Sequence, residues 1–160
     1  MTMEQAVAAE QSSDVREFRI QRKFAATPEK VFAAWTDPGL IVGWFGPEGM
    51  GVPEVEIDLR VGGAWRTVME NDEGGQHVVG GVYREIELPS RLAMTWAWVN
   101  DGVEGQQTLI EIDFEADGEG TLMHFRHSGF DSQESSSMHG QGWESTWKCL
   151  EGFIAEGGLR

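Results

Sequence analysis

Residues 132–157 read SQESSSMHGQGWESTWKCLEGFIAEG, and this stretch decides the fold. Trp143, Trp147, Leu150 and Ile154 fall at i, i+4, i+7 and i+11, a single apolar stripe along a helix. Gly157-Gly158 is a stop signal. A helix of about 20 residues spans about 30 Å, the width of a small domain. Its stripe must be buried against something, and the preceding chain supplies a one-faced sheet. RLAMTWAWV (91–99) puts Leu92, Met94, Trp96 and Trp98 on one face and Ala93, Thr95 and Ala97 on the other. QQTLIEIDFEA (106–116) puts Thr108, Ile110, Ile112 and Phe114 opposite Glu111, Asp113 and Glu115. TLMHFRHSGF (121–130) is the last strand.

Further upstream, VEIDLRVGGAWRTVMEN (55–71) reads as strand, Gly62-Gly63 turn and strand, with Trp65, Thr67 and Met69 on one face. HVVGGVYREIEL (77–88) is a strand whose Gly80-Gly81 pair suits a bulge or bend. At the start, REFRIQRKF (16–24) alternates as a first strand, with Phe18, Ile20 and Arg22 on one face. Thr27-Pro28-Glu29 then opens a short helix with the stripe Val31, Ala34 and Trp35, and Asp37-Pro38 opens a second short turn. The expected fold is therefore α+β. One strand feeds two short helices, six strands form a curved antiparallel meander, and the long helix lies across its concave face. Residues 1–15 read as a flexible arm and 16–160 as one domain.

The balance of 12 basic and 27 acidic residues gives a net charge of −15 over 160 residues, which disfavours nucleic acid and anionic membrane surfaces as partners. No apolar run approaches the roughly 18 residues of a membrane span. The first fifteen residues have neither the basic nor the apolar region of a secretory signal, so a cytoplasmic address is expected. The single cysteine, Cys149, allows no internal disulfide. The unusual features of the composition are 21 glycines and seven tryptophans against one tyrosine.

An ordered set of segments carries a resemblance. It comprises Pro28-Glu29-Lys30-Val31-Phe32, Trp35-Thr36-Asp37-Pro38, Trp44-Phe45-Gly46-Pro47, Gly62-Gly63-Ala64-Trp65-Arg66, Gly81-Val82-Tyr83-Arg84-Glu85-Ile86, Arg91-Leu92 with Thr95-Trp96, Thr121, His127-Ser128-Gly129-Phe130 and Gly142-Trp143. In this order, over about residues 16–156, the chain resembles the SRPBCC superfamily of helix-grip (START-like, Bet v-like) folds. Within it, the resemblance is to the homologues of the activator of the heat-shock-protein-90 ATPase. The resemblance implies an internal, mostly apolar cavity between sheet and long helix, and no particular reaction.

Trp65, Trp96, Trp98, Trp143 and Trp147 all fall on faces read as inward. Indoles are hard to pack solid because each N–H needs a partner, so a cavity with indole walls accounts for the set better than a closed core. Met69, Met94, Met123 and Met138 add an adaptable lining, and Trp44-Phe45-Gly46-Pro47 forms part of the mouth. His127 shares a face with Met123 and Phe125. Its plainer role is a satisfied core histidine bonded to backbone, and its sharper one a polar anchor or general acid/base at the cavity end. Glu85 is a candidate base near Arg66 or His127 if it points inward. An inward Arg84 would instead ask for an anionic ligand group or an internal acid, and a bulge would change either orientation.

Other constellations fail on geometry. His124 and His127 stand three apart on a strand and point to opposite faces, so they cannot share a metal, and no metal site is expected. Ser128, His127 and Asp131 lack the strand-to-helix elbow of a nucleophile. Gly140-x-Gly142 lacks the lysine and strand of a phosphate loop, and Gly142 reads as the place where helix approaches sheet. No cofactor is called for. Three functions compete. The first is binding of a bulky apolar or aromatic small molecule in the cavity. The second is an enzyme of polyketide cyclase or hydrolase type using that cavity, with His127, Glu85 and Arg66 moving protons. The third is a co-chaperone-like protein-interaction module, weakened because the chain has no room for the eukaryotic co-chaperone's additional N-terminal domain. The partner expected is an apolar small molecule, and a homodimer through a sheet edge or the arm stays open.

Overall fold

A computed structural model describes residues 16–159, and the arm read at residues 1–15 lies outside them. Strand β1 (Glu17–Phe24) leads into helix α1 (Pro28–Thr36) and the single turn α2 (Pro38–Ile41). Pro28 and Pro38 each start their helix at a position where a missing N–H costs nothing. Thr27 caps α1 without a side-chain hydrogen bond, whereas the Asp37 carboxylate accepts from the Gly39 N–H at 2.8 Å. Six longer strands follow: β2 (Gly51–Ile57), β3 (Ala64–Glu70), β4 (Gln76–Glu87), β5 (Arg91–Asn100), β7 (Thr108–Asp117) and β8 (Gly120–Ser128). A two-residue β6 (Val103–Glu104) folds back on the end of β5, an element too short to leave a periodic signal. Helix α3 (Gln133–Ala155) closes the order, capped by the Ser132 hydroxyl and ended at Gly157, whose φ is +86°.

The sheet runs β1-β8-β7-β5-β4-β3-β2, antiparallel throughout. Among the strands of this path, consecutive ones pair except β1 and β2, which lie at opposite edges and are joined by the connection that carries α1 and α2; β6 pairs only with β5. The inward residues of neighbouring strands fall in rows, such as Phe18, His127, Ile110, Met94 and Tyr83. Across this face lies α3. Trp147 meets Phe125 edge-on at 4.9 Å, and Trp143 meets the same ring at 4.8 Å. Trp35 of α1 packs within 6 Å of both helix indoles. Each buried indole removes about 150–250 Å² from water, worth about 4–6 kcal/mol before entropy is counted. Arg22 at the sheet edge reaches Glu151 of the helix at 2.9 Å.

The bulge expected at Gly80-Gly81 and the close approach expected at Gly142 both fall elsewhere. The bulge in β4 falls at Arg84, between the pairs Tyr83–Met94 and Glu85–Ala93, and Gly80 stays in register with Ala97. Gly81 serves a close approach instead. A Cβ there would lie 2.1 Å from the Thr95 carbonyl oxygen, which accepts the Trp65 indole N–H at 3.0 Å. The Thr95 hydroxyl accepts the Val82 N–H at 2.9 Å, which gives that donor a partner where the β4–β5 ladder opens. In the helix, Gly140 is the point of closest packing, since its Cβ would sit 2.5 Å from the Phe18 ring; at Gly142 a Cβ would meet nothing within 4 Å. No helix among the described residues is long and apolar enough to cross a membrane.

Candidate functional site

Between the sheet and α3, near the Trp98 end of β5, lies a cavity of about 350 Å³. The loop after α2 contributes Phe45, Gly46 and Pro47, β3 contributes Met69, and β5 contributes Trp96 and Trp98. Helix α3 contributes Met138, His139, Gly142, Trp143 and Thr146. Gly46 turns the loop with φ +100°, and a Cβ there would press on the Met69 sulfur at 2.9 Å. The Glu48 N–H donates to the Ser145 hydroxyl at 2.9 Å, which pins this loop to the helix. Met138 is 65% exposed and marks the rim. No carboxylate, lysine or arginine is among the lining residues.

The wall's polar groups are mostly spent inside the protein. The Trp98 indole donates to His139 Nε2 at 2.9 Å. An indole nitrogen can only donate, so His139 carries its proton on Nδ1 and gives it to the Ser135 carbonyl at 2.8 Å. The Trp143 indole donates to His127 Nδ1 at 3.0 Å. His127 therefore keeps its proton on Nε2 and donates to the Thr108 hydroxyl at 2.7 Å, which donates in turn to the Trp96 carbonyl at 3.0 Å. The Thr146 hydroxyl bonds the Gly142 carbonyl at 2.8 Å. Trp96 Nε1 is the lining donor left without a partner; Trp35 Nε1, Trp147 Nε1 and Thr67 Oγ1 are the other unpaired buried side-chain atoms among the described residues.

Both histidines are held neutral. Burial pushes His127 well below its ordinary value, and the nearby His139 adds to the effect. Burial lowers His139 too, against a smaller upward pull from its bond to Ser135. His127 is fully buried, lies outside the cavity lining and uses both ring nitrogens, so the expected backbone-bonded core histidine is instead bonded to side chains.

Of the residues expected at the cavity, Phe45, Met69, Trp96, Trp98, Met138 and Trp143 come together on its wall. Trp44 is drawn away by its bond to the Ala34 carbonyl at 3.1 Å, and Trp65 by its bond to Thr95. Met94, Met123 and Trp147 fill the core around the cavity rather than its surface. Arg66 and Glu85 do not face inward at all. Arg66 alternates with the buried Trp65 and Thr67 and pairs with Glu54 at 3.3 Å on the outer face. The bulge at Arg84 leaves that residue exposed and turns Glu85 to Arg91 at 2.9 Å, whose hydrogen bond holds the Glu85 carboxyl below the usual range. Arg91 also binds Glu111 and Asp113, and Arg126 joins Glu111 to Glu17, so these charges form an outer-face network. His139 and Gly142 were not read as cavity residues. Their signal was present in the helical spacing, since 139 precedes Trp143 by four and 142 lies four from both Met138 and Thr146. Among the described residues, no three of His, Cys, Asp and Glu gather into a metal-holding group.

A sheet gripping one long helix around an apolar cavity defines a protein of the SRPBCC class, whose members commonly bind ligands in such a cavity. Residues 25–155 match the family described as Activator of Hsp90 ATPase homolog 1-like protein, and the chain belongs to that family. Among solved structures, an AHSA1 protein from Silicibacter pomeroyi is 31% identical, with a TM-score of 0.80 over 87% of this chain and 97% of that one. A protein from Chromobacterium violaceum is 26% identical, with a TM-score of 0.78 over 87% of this chain and 96% of the other. A protein from Arthrobacter aurescens shares the fold at 20% identity, with a TM-score of 0.81 over 91% and 90% of the two chains. No curated protein matches the sequence.

Proposed function

We propose that the protein binds a compact apolar or aromatic small molecule in the cavity between the sheet and α3. The observation that carries this reading is the wall itself: about 350 Å³ bounded by Phe45, Trp96, Trp98 and Trp143, with no acidic or basic side chain among its lining residues. That volume is at the low end of the roughly 300–1,000 Å³ of small-molecule sites, and suits two or three rings rather than a long lipid. The driving force is removal of apolar surface from water, at about 25 cal/mol per Å² before the cost of association. Turnover of the cyclase or hydrolase kind finds less support. Its proton-transfer set is not assembled, because His127 lies outside the lining with both nitrogens engaged and Glu85 and Arg66 lie on the outer face.

Native mass spectra of gently purified protein, set beside the denatured mass, test the reading. An added mass that disappears on denaturation is the expected result and gives the ligand's size. A bare native mass, together with no quenching of tryptophan fluorescence by added polycyclic aromatics, would remove the proposal.

A further inference from the structure

Gly142 stands mid-way along α3, where glycine weakens a helix by about fivefold in the folding equilibrium relative to alanine. Nothing in the fold asks for it. Its backbone is helical, and a Cβ would meet no atom within 4 Å, in contrast to Gly140 against Phe18. Met138, Gly142 and Thr146 succeed one another at i, i+4 and i+8 on one ridge, and all three line the cavity. The missing side chain is therefore a notch in the helical wall, opening toward the space that Trp96 and Met69 bound from the sheet.

Resting on the reading of the cavity as a ligand site, we infer that Gly142 is its specificity-determining position. The notch admits a flat ring laid against the helix backbone between Met138 and Thr146, so the site selects ligands by the width and extent of an aromatic plane. A methyl group in the notch takes up ligand space while improving the helix, so binding and stability move in opposite directions. Gly152 provides the control. It lies in the same helix, its Cβ would also meet nothing within 4 Å, and it is outside the cavity lining.

The experiment uses two neutral fluorescent probes, N-phenyl-1-naphthylamine and the smaller 1-naphthylamine, with the wild type, Gly142→Ala and Gly152→Ala. Both variants should melt about 2–4 °C higher than the wild type. Gly142→Ala should bind the larger probe about tenfold more weakly and lose less for the smaller one, while Gly152→Ala binds both as the wild type does. Equal affinity of the wild type and Gly142→Ala for the larger probe overturns the inference. So does an equal loss for both probes, or a lower melting temperature for Gly142→Ala, which would make the position one of packing. If the wild type binds neither probe, this inference falls, and the reading of the cavity as a ligand site falls with it where the native mass is also bare.

Discussion

A glycine is understood from what its side chain would strike. At Gly81 the obstacle is the backbone oxygen of Thr95, 2.1 Å from a Cβ, and the strand cannot give way without losing the Trp65 indole bond to that oxygen. Gly81→Ala is expected to cost about 3 kcal/mol, seen as a lower urea midpoint with an unchanged slope. A loss within about 0.5 kcal/mol, the range of ordinary surface changes, would show that β4 and β5 slide apart freely there. The glycines themselves were visible in the sequence, but their jobs were not. Gly80-Gly81 and the bulge at Arg84 are only a few residues apart, and strand periodicity alone cannot say which of the two breaks register, because register belongs to the partner strand. The orientations of Arg84 and Glu85 depend on that same break, which is why the sequence leaves an inward Glu85 open and the structure puts it on the outer face.

The elements were legible where burial imposes one period over many residues. The stripe of Trp143, Trp147 and Leu150 fixed the long helix, and strict alternation in 91–99 and 106–116 fixed the strands it covers. What joins helix to sheet was not legible, because it pairs residues far apart in the chain. Besides the Arg22–Glu151 pair, two bonds between aromatic rings span that gap, Trp98 to His139 and Trp143 to His127, and in each a neutral imidazole accepts an indole N–H. The His139 ring faces Trp96, Trp98, Phe130 and His127, an aromatic setting that disfavours its charged form. Unfolded, each histidine titrates near 6.5, so below about pH 6.5 the unfolded chain takes up protons that the folded protein resists. Both folded values are lowered, hence the contribution is complete above about pH 6.5 and declines as pH falls, by up to about 1.4 kcal/mol per pH unit for each histidine. Urea denaturation at about pH 7.5 and about pH 5.5 should show this decline. In His139→Gln, whose amide accepts from Trp98 without titrating, the decline should be smaller. An equal decline in both proteins would mean that His139 is no part of the acid sensitivity.

At the scale of the whole molecule, an uncharged cavity is set in a chain of net charge −15. The lining has no cation to receive an anionic group, and the surrounding field repels one before it reaches the rim. Hydrophobic burial inside the wall is indifferent to salt, whereas this repulsion reaches through solvent and shrinks from a Debye length of about 20 Å to about 4 Å as ionic strength rises from about 0.02 M to about 0.5 M. The two contributions separate in a matched pair of probes. N-phenyl-1-naphthylamine and 8-anilino-1-naphthalenesulfonate share one ring system and differ by a sulfonate. The neutral probe should bind more tightly at low salt, and its affinity should change little as salt is added. The sulfonate should gain affinity over the same range, narrowing the gap without closing it, because the cost of burying the sulfonate among indoles remains after the field is screened. A sulfonate that binds as well as the neutral probe at low salt would locate a cation at the site and reject an apolar cavity. A gap that does not respond to salt would assign the whole discrimination to the wall and none to the molecule's charge.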